Sequence, residues 1–169
     1  IGKCVRYHLR YKDSANDGPK TLVGKFPSDD ENSRATGVAL RNFLKEVRFY
    51  QQLQDKLSVR TPKCYFADIL EEGPEFFLLM EDLSPAQQGD QLTGCSEKEA
   101  ESALRELTGL HAPLWSDQSL LEKEWLIDLE NVPRNTTRDL YRLQLPGFLD
   151  RYGSFLAPDE REIISRVGE

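Results

Sequence analysis

A lysine on an apolar strand and a glutamate on an amphipathic helix are the residues of this sequence best suited to hold a phosphate group. Residues 21–26 alternate in a way that predicts a β-strand, with Lys25 on the same face as Val23. An unpaired ammonium on a covered sheet face is costly, so Lys25 needs a carboxylate partner there. Glu46 is the candidate, because it follows Phe43 by three residues along the buried edge of a predicted helix. Such a pair can place a lysine against phosphate oxygens, which is the chemistry of phosphoryl transfer.

Each residue of this pair also has a simpler interpretation. Sheet lysines are usually exposed and helix glutamates are usually solvated, so neither Lys25 nor Glu46 alone identifies a site. Two further observations support the interpretation of the pair as a phosphate site. The lysine strand precedes the glutamate helix along the chain, and an apolar run at residues 76–80 follows them and stops at Glu81 and Asp82. A plain buried strand would show the same run, so this element is informative only together with the other two.

The sheet that would hold the lysine is predicted to contain two hairpins. Residues 5–11 alternate between apolar and polar side chains, and turn-forming residues at 16–19 connect them to the lysine strand. Residues 64–70 and 76–80 flank a polar turn that contains glycine and proline, and they predict a second antiparallel pair.

The glutamate is predicted to lie on one long helix over residues 38–57. Apolar side chains recur along this segment at intervals of three, four or seven residues, which places them on one helical face. These side chains are Leu40, Phe43, Val47, Tyr50 and Leu57. The polar and acidic residues 27–34 that precede the helix predict a mobile loop, because they are unsuited to a core.

The second half of the chain is predicted to be helical. A polar stretch with proline and glycine at residues 84–90 predicts a connector between two lobes. Ser96-Glu97-Lys98-Glu99 has the pattern of a capping box and predicts the start of an amphipathic helix. Further helices are predicted over residues 138–149 and 158–167. The predicted organisation is a sheet lobe, a connector and a helical part, at residues 1–83, 84–95 and 96–169.

Composition excludes several functional classes. The chain has 169 residues, of which 38% are hydrophobic and 30% charged, and its net charge of −7 argues against an extended nucleic-acid-binding surface. Three cysteines, Cys4, Cys64 and Cys95, lack the paired spacing of a disulfide framework or a structural zinc site. The longest apolar run is too short to span a membrane, and no apolar leader opens the sequence, so a cytoplasmic protein is predicted.

Several segments between residues 5 and 115 resemble the aminoglycoside phosphotransferase and choline kinase-like group, which shares the protein-kinase fold. The motif Glu46-Val47-Arg48-Phe49-Tyr50 most resembles the ecdysteroid kinase-like and uncharacterised phosphotransferase branches of that group. The turn Leu110-His111-Ala112, at the end of the first helix of the large lobe, is also similar to the group. The similar segments are residues 22–26, 43–50, 61–65, 79–83 and 107–115, and the two motifs named above lie within them.

This resemblance implies a fold and an activity. The fold is α+β, with a kinase-like N-lobe of one antiparallel sheet and one main helix, followed by the helices of a truncated C-lobe. The activity is transfer of the γ-phosphate of ATP, with Mg²⁺, to a hydroxyl group of an unidentified small molecule. In such a site Lys25 would bind the α- and β-phosphates and Glu46 would orient Lys25.

The resemblance also assigns the adenine end of the site and shows which chemistry is missing. Met80 would limit the adenine pocket, and Glu81, Asp82 and Leu83 would offer backbone contacts to the base. The catalytic and metal-binding loop of the group, His-Gly-Asp-x-x-x-x-Asn, does not occur in this sequence and is expected beyond Glu169. The chain alone is therefore expected to be inactive, with no catalytic residue and no metal ligand of its own.

Two functions of different classes stay open at this point. One is an ATP-dependent small-molecule kinase, and the other is a non-catalytic kinase-like module that binds a nucleotide or a partner. The intact lysine and glutamate favour the kinase, because phosphate handling requires that pair. Neither nucleic acid nor a membrane is expected as a partner, and the sequence does not identify the acceptor or the oligomeric state.

Three large side chains near the end of the similar region are interpreted structurally. Trp115 and Trp125 are predicted to pack in the core. His111 could serve as a general base, since imidazole titrates near neutral pH, but its position predicts an interaction with the end of a helix instead.

Overall fold

A computed structural model describes residues 2–12, 17–126 and 136–167 of the chain. Contacts divide the chain into two compact units, Ile1–Leu126 and Ile127–Glu169. The first unit contains the sheet and the lysine and glutamate identified above. The lobe boundary predicted near residue 84 stays a prediction.

A four-stranded antiparallel sheet forms the centre of the first unit. Its strands are β1 (Gly2–His8), β2 (Thr21–Pro27), β3 (Cys64–Ile69) and β4 (Phe76–Glu81), in the spatial order β1-β2-β4-β3. Both predicted hairpins are confirmed, although β1 begins and ends three residues earlier than the alternation predicts. The sheet and the helices that follow it confirm the predicted α+β class.

Two helices, rather than one, precede β3. Helix α1 (Glu31–Ala39) and helix α2 (Asn42–Gln52) are separated at Arg41, whose φ of 53° is left-handed and interrupts the helical hydrogen bonding. The single helix predicted over residues 38–57 is therefore wrong at both ends. The break at Arg41 makes α2 begin later than predicted, and a 3₁₀ turn at Gln54–Lys56 follows its end.

The loop predicted at residues 27–34 is also wrong in part, because α1 begins inside it. The carboxylate of Asp30 accepts a hydrogen bond from the Ser33 amide at 2.7 Å and caps the helix. This backbone hydrogen bond lowers the pKa of Asp30 below its usual value. An acidic run that looks like a solvated loop is thus a helix start.

Helix α2 packs against the sheet through one side of its surface. Phe43 and Val47 are buried against the side chains that β4 turns toward the helix, and the rings of Phe43 and Phe76 stack with centroids 4.8 Å apart. The β4 members of this cluster are Phe76, Leu78 and Met80. The predicted apolar face of the helix is confirmed here for Phe43 and Val47, whereas Leu40 lies outside α2 and is exposed.

A second apolar cluster covers another side of α2. Leu44 and Leu53 are buried against Trp125, whose indole nitrogen donates a hydrogen bond to the Gln52 side-chain oxygen at 3.0 Å. Lys123 donates to the same oxygen at 3.1 Å. The packing role predicted for Trp125 is confirmed, but that predicted for Trp115 is wrong, because Trp115 is 78% exposed.

Helix α3 (Glu97–His111) begins with the predicted capping box. The Ser96 hydroxyl accepts from the Glu99 amide, and the Glu99 carboxylate accepts from the Ser96 amide at 2.7 Å. Near its other end the helix lies directly against the backbone after α2, where Gly109 accepts a hydrogen bond from the Ser58 amide at 3.0 Å. A Cβ atom at Gly109 would lie 2.6 Å from the Val59 amide nitrogen, so glycine is required for this approach.

The second unit consists of helices α4 (Thr136–Tyr152) and α5 (Pro158–Val167), joined through a 3₁₀ turn. Both helices were predicted from the sequence, and α5 has the predicted bounds. The Tyr141 hydroxyl donates to the Ile164 carbonyl, and the Arg161 guanidinium donates to the Gly153 carbonyl. Within the described parts of the chain, no helix combines the length and apolar character that a membrane crossing requires.

Candidate functional site

Lys25 and Glu46 form an ion pair between β2 and α2. The Lys25 ammonium lies 2.5 and 2.7 Å from the two carboxylate oxygens of Glu46, so both oxygens accept from it. The lysine side chain is 25% exposed and the glutamate side chain 32%, which leaves the pair open to solvent on one side. The structure therefore brings together the two residues that the sequence singled out, in a form that a ligand can reach.

The buried side chains of α2 explain why Glu46 faces the sheet. Phe43 lies one turn before Glu46 and Val47 lies directly after it, and both are buried against β4. With these two anchors fixed, the helix presents Glu46 at the edge of its buried side. Alternation along β2 turns Lys25 toward the same side, opposite to Leu22 and Gly24.

Tyr50 lies one helical turn beyond Glu46 on the same side of α2. It packs against the buried cluster, and burial raises the pKa of its hydroxyl to about 12, with the charges of Glu46 and Cys64 adding to the effect. Tyr50 therefore stays uncharged near the carboxylate of Glu46 at neutral pH.

Strand β1 supplies three residues to the site that the sequence did not identify. Cys4 is paired with Lys25 across the strands, and Arg6 is paired with Val23, so both β1 side chains lie on the Lys25 face. Gly2 makes room for the lysine, because a Cβ atom there would lie 2.8 Å from the Lys25 Cε. The pairing register determines which β1 side chains lie on the Lys25 face. This register cannot be derived from the sequence without knowing the geometry of the connecting loop.

Met80 and the residues after it occupy the end of β4. The Met80 side chain is buried between α2 and the sheet, and Met80 is paired with Val23, two residues from Lys25 along β2. The Glu81 amide donates to the Lys63 carbonyl at 2.8 Å, and the Leu83 carbonyl accepts from the Ala86 amide at 2.8 Å. Among the described residues the Leu83 amide donates no hydrogen bond, so it is available to a ligand.

The two acidic side chains at this end point in different directions. The Glu81 carboxylate lies on the sheet face opposite Lys25, where it accepts from the Arg60 guanidinium at 2.8 Å and the Lys63 amide at 3.0 Å. The Asp82 carboxylate lies 2.7 Å from the Nε of Arg6, and it also accepts from the Ser84 amide at 3.1 Å. These contacts tie β1 and β3 to the exit of β4.

Asp82 is the more enclosed of the two carboxylates, with a side chain that is only 5% exposed. Its pKa is lowered mainly by the hydrogen bond from the Ser84 amide, with further contributions from Arg6 and the Thr21 hydroxyl. The carboxylate is thus held in its charged form in contact with Arg6.

Metal-ligating side chains are dispersed in the part of the chain that the structure describes. No three of the described histidine, cysteine, aspartate and glutamate residues come together in a way that could hold a metal ion. The cysteines are free thiols, with Cys4 and Cys95 exposed and Cys64 partly buried.

Comparison with known proteins gives one match. The sequence model of the ecdysteroid kinase-like family matches residues 1–116, which include the whole sheet, α1, α2, α3 and the ion pair. No curated protein and no solved structure gives a significant match.

Proposed function

The chain belongs to the ecdysteroid kinase-like family, whose model covers residues 1–116 of 169, and from that premise we propose that it carries the nucleotide-binding elements of an ATP-dependent small-molecule kinase. Its sheet and α2 form a kinase-like N-lobe, which is followed by helices. The proposed reaction transfers the γ-phosphate of ATP to a hydroxyl group of a small molecule.

The Lys25–Glu46 ion pair is the observation that carries this proposal. Both oxygens of Glu46 bind the ammonium, which fixes a flexible lysine side chain in one position on the sheet. Kinases use a lysine held in this way to bind the α- and β-phosphates. The residual exposure of the pair leaves room for phosphate oxygens beside the ammonium.

The base of the nucleotide would bind at the exit of β4. Met80 would form the inner limit of the pocket, and the available amide of Leu83 would donate to the purine. Glu81 and Asp82 would contribute backbone atoms, while their carboxylates hold Arg60 and Arg6. The lysine and the β4 exit lie on adjacent, paired strands, as one bound nucleotide would require.

Magnesium supplies charge neutralisation for phosphoryl transfer in kinases generally. The described residues hold no cluster of metal-ligating side chains, so their donor set does not fit a magnesium site. We therefore assign no residue of this chain to the metal ion, and the roles of Lys25 and Glu46 do not depend on one.

The acceptor is best identified by a screen with the full-length protein. Aminoglycosides, amino alcohols and steroid-like alcohols would each be incubated with magnesium and ATP, and release of ADP would be measured. ADP release that depends on one of these hydroxyl compounds would support the kinase. Tight ATP binding without transfer to any of them would favour the non-catalytic, nucleotide-binding alternative.

Cys4 provides a direct test of where the nucleotide lies. Because Cys4 is exposed and paired with Lys25, bound ATP is expected to slow its alkylation by iodoacetamide. Tenfold excess of ATP over its Kd should slow the reaction about tenfold, in proportion to the sites left free. Peptide mass spectrometry would measure the rate at each cysteine separately.

Cys95 is the matched control, since it is also an exposed thiol but lies outside the sheet. Its alkylation should be unaffected by ATP. Cys64 should react slowly in all conditions, because burial raises the pKa of its thiol. Equal rates at Cys4 with and without ATP, under conditions where calorimetry shows binding, would place the nucleotide elsewhere.

A further inference from the structure

We propose that Arg6 covers the purine base of the bound nucleotide by stacking its guanidinium plane on the ring. This inference rests on the proposed function, because it places Arg6 in the same nucleotide site. The proposal gives a residue of β1 a role in binding the base. In the proposed function, Lys25 binds the phosphates and the end of β4 binds one edge of the base.

The strand register gives Arg6 its position. Arg6 is paired with Val23, and Cys4 with Lys25, so Arg6 lies two residues from the lysine position along β1 and on the same face of the sheet. Two residues of extended chain correspond to about 7 Å. Arg6 also contacts Asp82, which follows the end of β4. It therefore lies between the proposed phosphate-binding lysine and the proposed base-binding segment.

The ion pair with Asp82 holds the guanidinium of Arg6 near the end of β4. The Nε of Arg6 lies 2.7 Å from one carboxylate oxygen of Asp82, and a terminal nitrogen donates to the other oxygen at 3.2 Å. Asp82 is itself held by the Ser84 amide, which donates a hydrogen bond to it at 3.1 Å. Of the two Arg6 contacts, one is a hydrogen bond and the other is a close ionic contact, and together they hold the guanidinium beside the enclosed carboxylate.

The hydrogen bond from the terminal nitrogen to Asp82 holds one edge of the guanidinium, and much of the side chain stays open to solvent. The Arg6 side chain is 54% exposed, although its carboxylate partner is almost enclosed. A planar, delocalised cation that is open to solvent is suited to stacking on an aromatic ring.

The test compares the binding of two ligands to the full-length protein and to five variants, one of them Lys25→Met, by calorimetry. Magnesium ATP contains the base, whereas inorganic tripolyphosphate offers the phosphates alone. Arg6→Met and Arg6→Lys both remove the plane, and the lysine variant keeps the charge. Each is expected to weaken ATP binding about fivefold to tenfold and to leave tripolyphosphate binding within about twofold.

Two further variants control for structural effects. Arg60→Met removes an arginine that is ion-paired with the neighbouring Glu81 on the opposite sheet face, and it should leave ATP affinity unchanged. Asp82→Asn keeps Arg6 but weakens the contact that holds its guanidinium. This variant should weaken the binding of ATP more than the binding of tripolyphosphate. If Arg6→Met does not fold, Arg6→Lys and Asp82→Asn still decide the question.

Four outcomes would overturn the assignment. Full ATP affinity in Arg6→Lys would show that a cation suffices and that no stacking occurs. Equal losses for ATP and tripolyphosphate would make Arg6 a phosphate ligand. The wild type could bind ATP, with binding lost in Lys25→Met but kept in the Arg6 variants. In that case only the stacking proposal fails. Absence of ATP binding by the wild type would overturn the proposed function as well.

Discussion

Replacing Lys25 with methionine is expected to lower turnover by the full-length protein at least about 100-fold, which is the usual cost of losing one positioned charge-stabilising donor. Affinity for ATP should fall about tenfold or more, because the variant loses charge-assisted hydrogen bonds to phosphate. Methionine keeps the apolar stem of the side chain, so the packing of Lys25 beside Gly2 is preserved. Coupled detection of ADP would give the rate, and calorimetry the affinity.

Lys3→Met is the matched control for this substitution. Lys3 lies on the adjacent strand and is paired across it with Phe26, on the sheet face away from Lys25, where it binds Asp29 at 2.5 Å. Its loss should leave rate and affinity within about twofold, because an exposed ion pair contributes little. Unchanged turnover and affinity in Lys25→Met would refute the phosphate-binding role of Lys25.

Replacing Leu78 with alanine is expected to reduce the free energy of unfolding of the first unit by about 2–5 kcal/mol. Leu78 is 0% exposed and lies in the cluster between β4 and α2, so its truncation leaves a cavity beneath Phe43 and Val47. Urea unfolding followed by tryptophan fluorescence would measure the loss, since both tryptophans of the chain belong to this unit.

Leu70→Ala is the control for the stability experiment. Leu70 directly follows β3 but is 68% exposed, so its truncation removes little buried surface and should cost under about 0.5 kcal/mol. A similar loss of stability in the two variants would mean that the cluster beneath α2 is not the main core of this unit.

The ion pair could be predicted because strand and helix periods determine which way side chains face. Alternation placed Lys25 on one face of its strand, and the spacing from Phe43 placed Glu46 at the edge of the helix. The capping box at Ser96 was equally readable, because both partners lie within one helical turn. Features of this kind depend on neighbours that are close in the chain.

The errors concern features that local patterns do not encode. Helix α1 has a weak apolar pattern, and its start depends on a single hydrogen bond from the Ser33 amide to Asp30. The break before α2 depends on the left-handed backbone of Arg41, a residue type that gives no such signal. Local patterns likewise did not show that Trp125 is buried and Trp115 exposed. The burial of Trp125 depends on contacts with Leu44 and Leu53, which lie far from it in the sequence.

The contribution of β1 to the site was missed for a related reason. Gly2, Cys4 and Arg6 reach the Lys25 face only because of the β1 and β2 register, and that register depends on the geometry of the segment between them. Arg6 finds Asp82 across 76 residues of chain, a separation over which no sequence pattern applies.

The hydrogen bonds of Gln52 link helix α2, which carries Glu46, to residues that lie outside the sheet. Lys123 and Trp125 hold Gln52 at the end of α2, and Trp125 fills the side of the helix that the sheet leaves uncovered. The helix that carries Glu46 is thereby held between the sheet on one side and Trp125 on another. Changes in the segment that contains Trp125 would therefore alter the support of the helix that carries Glu46, although that segment lies outside the sheet.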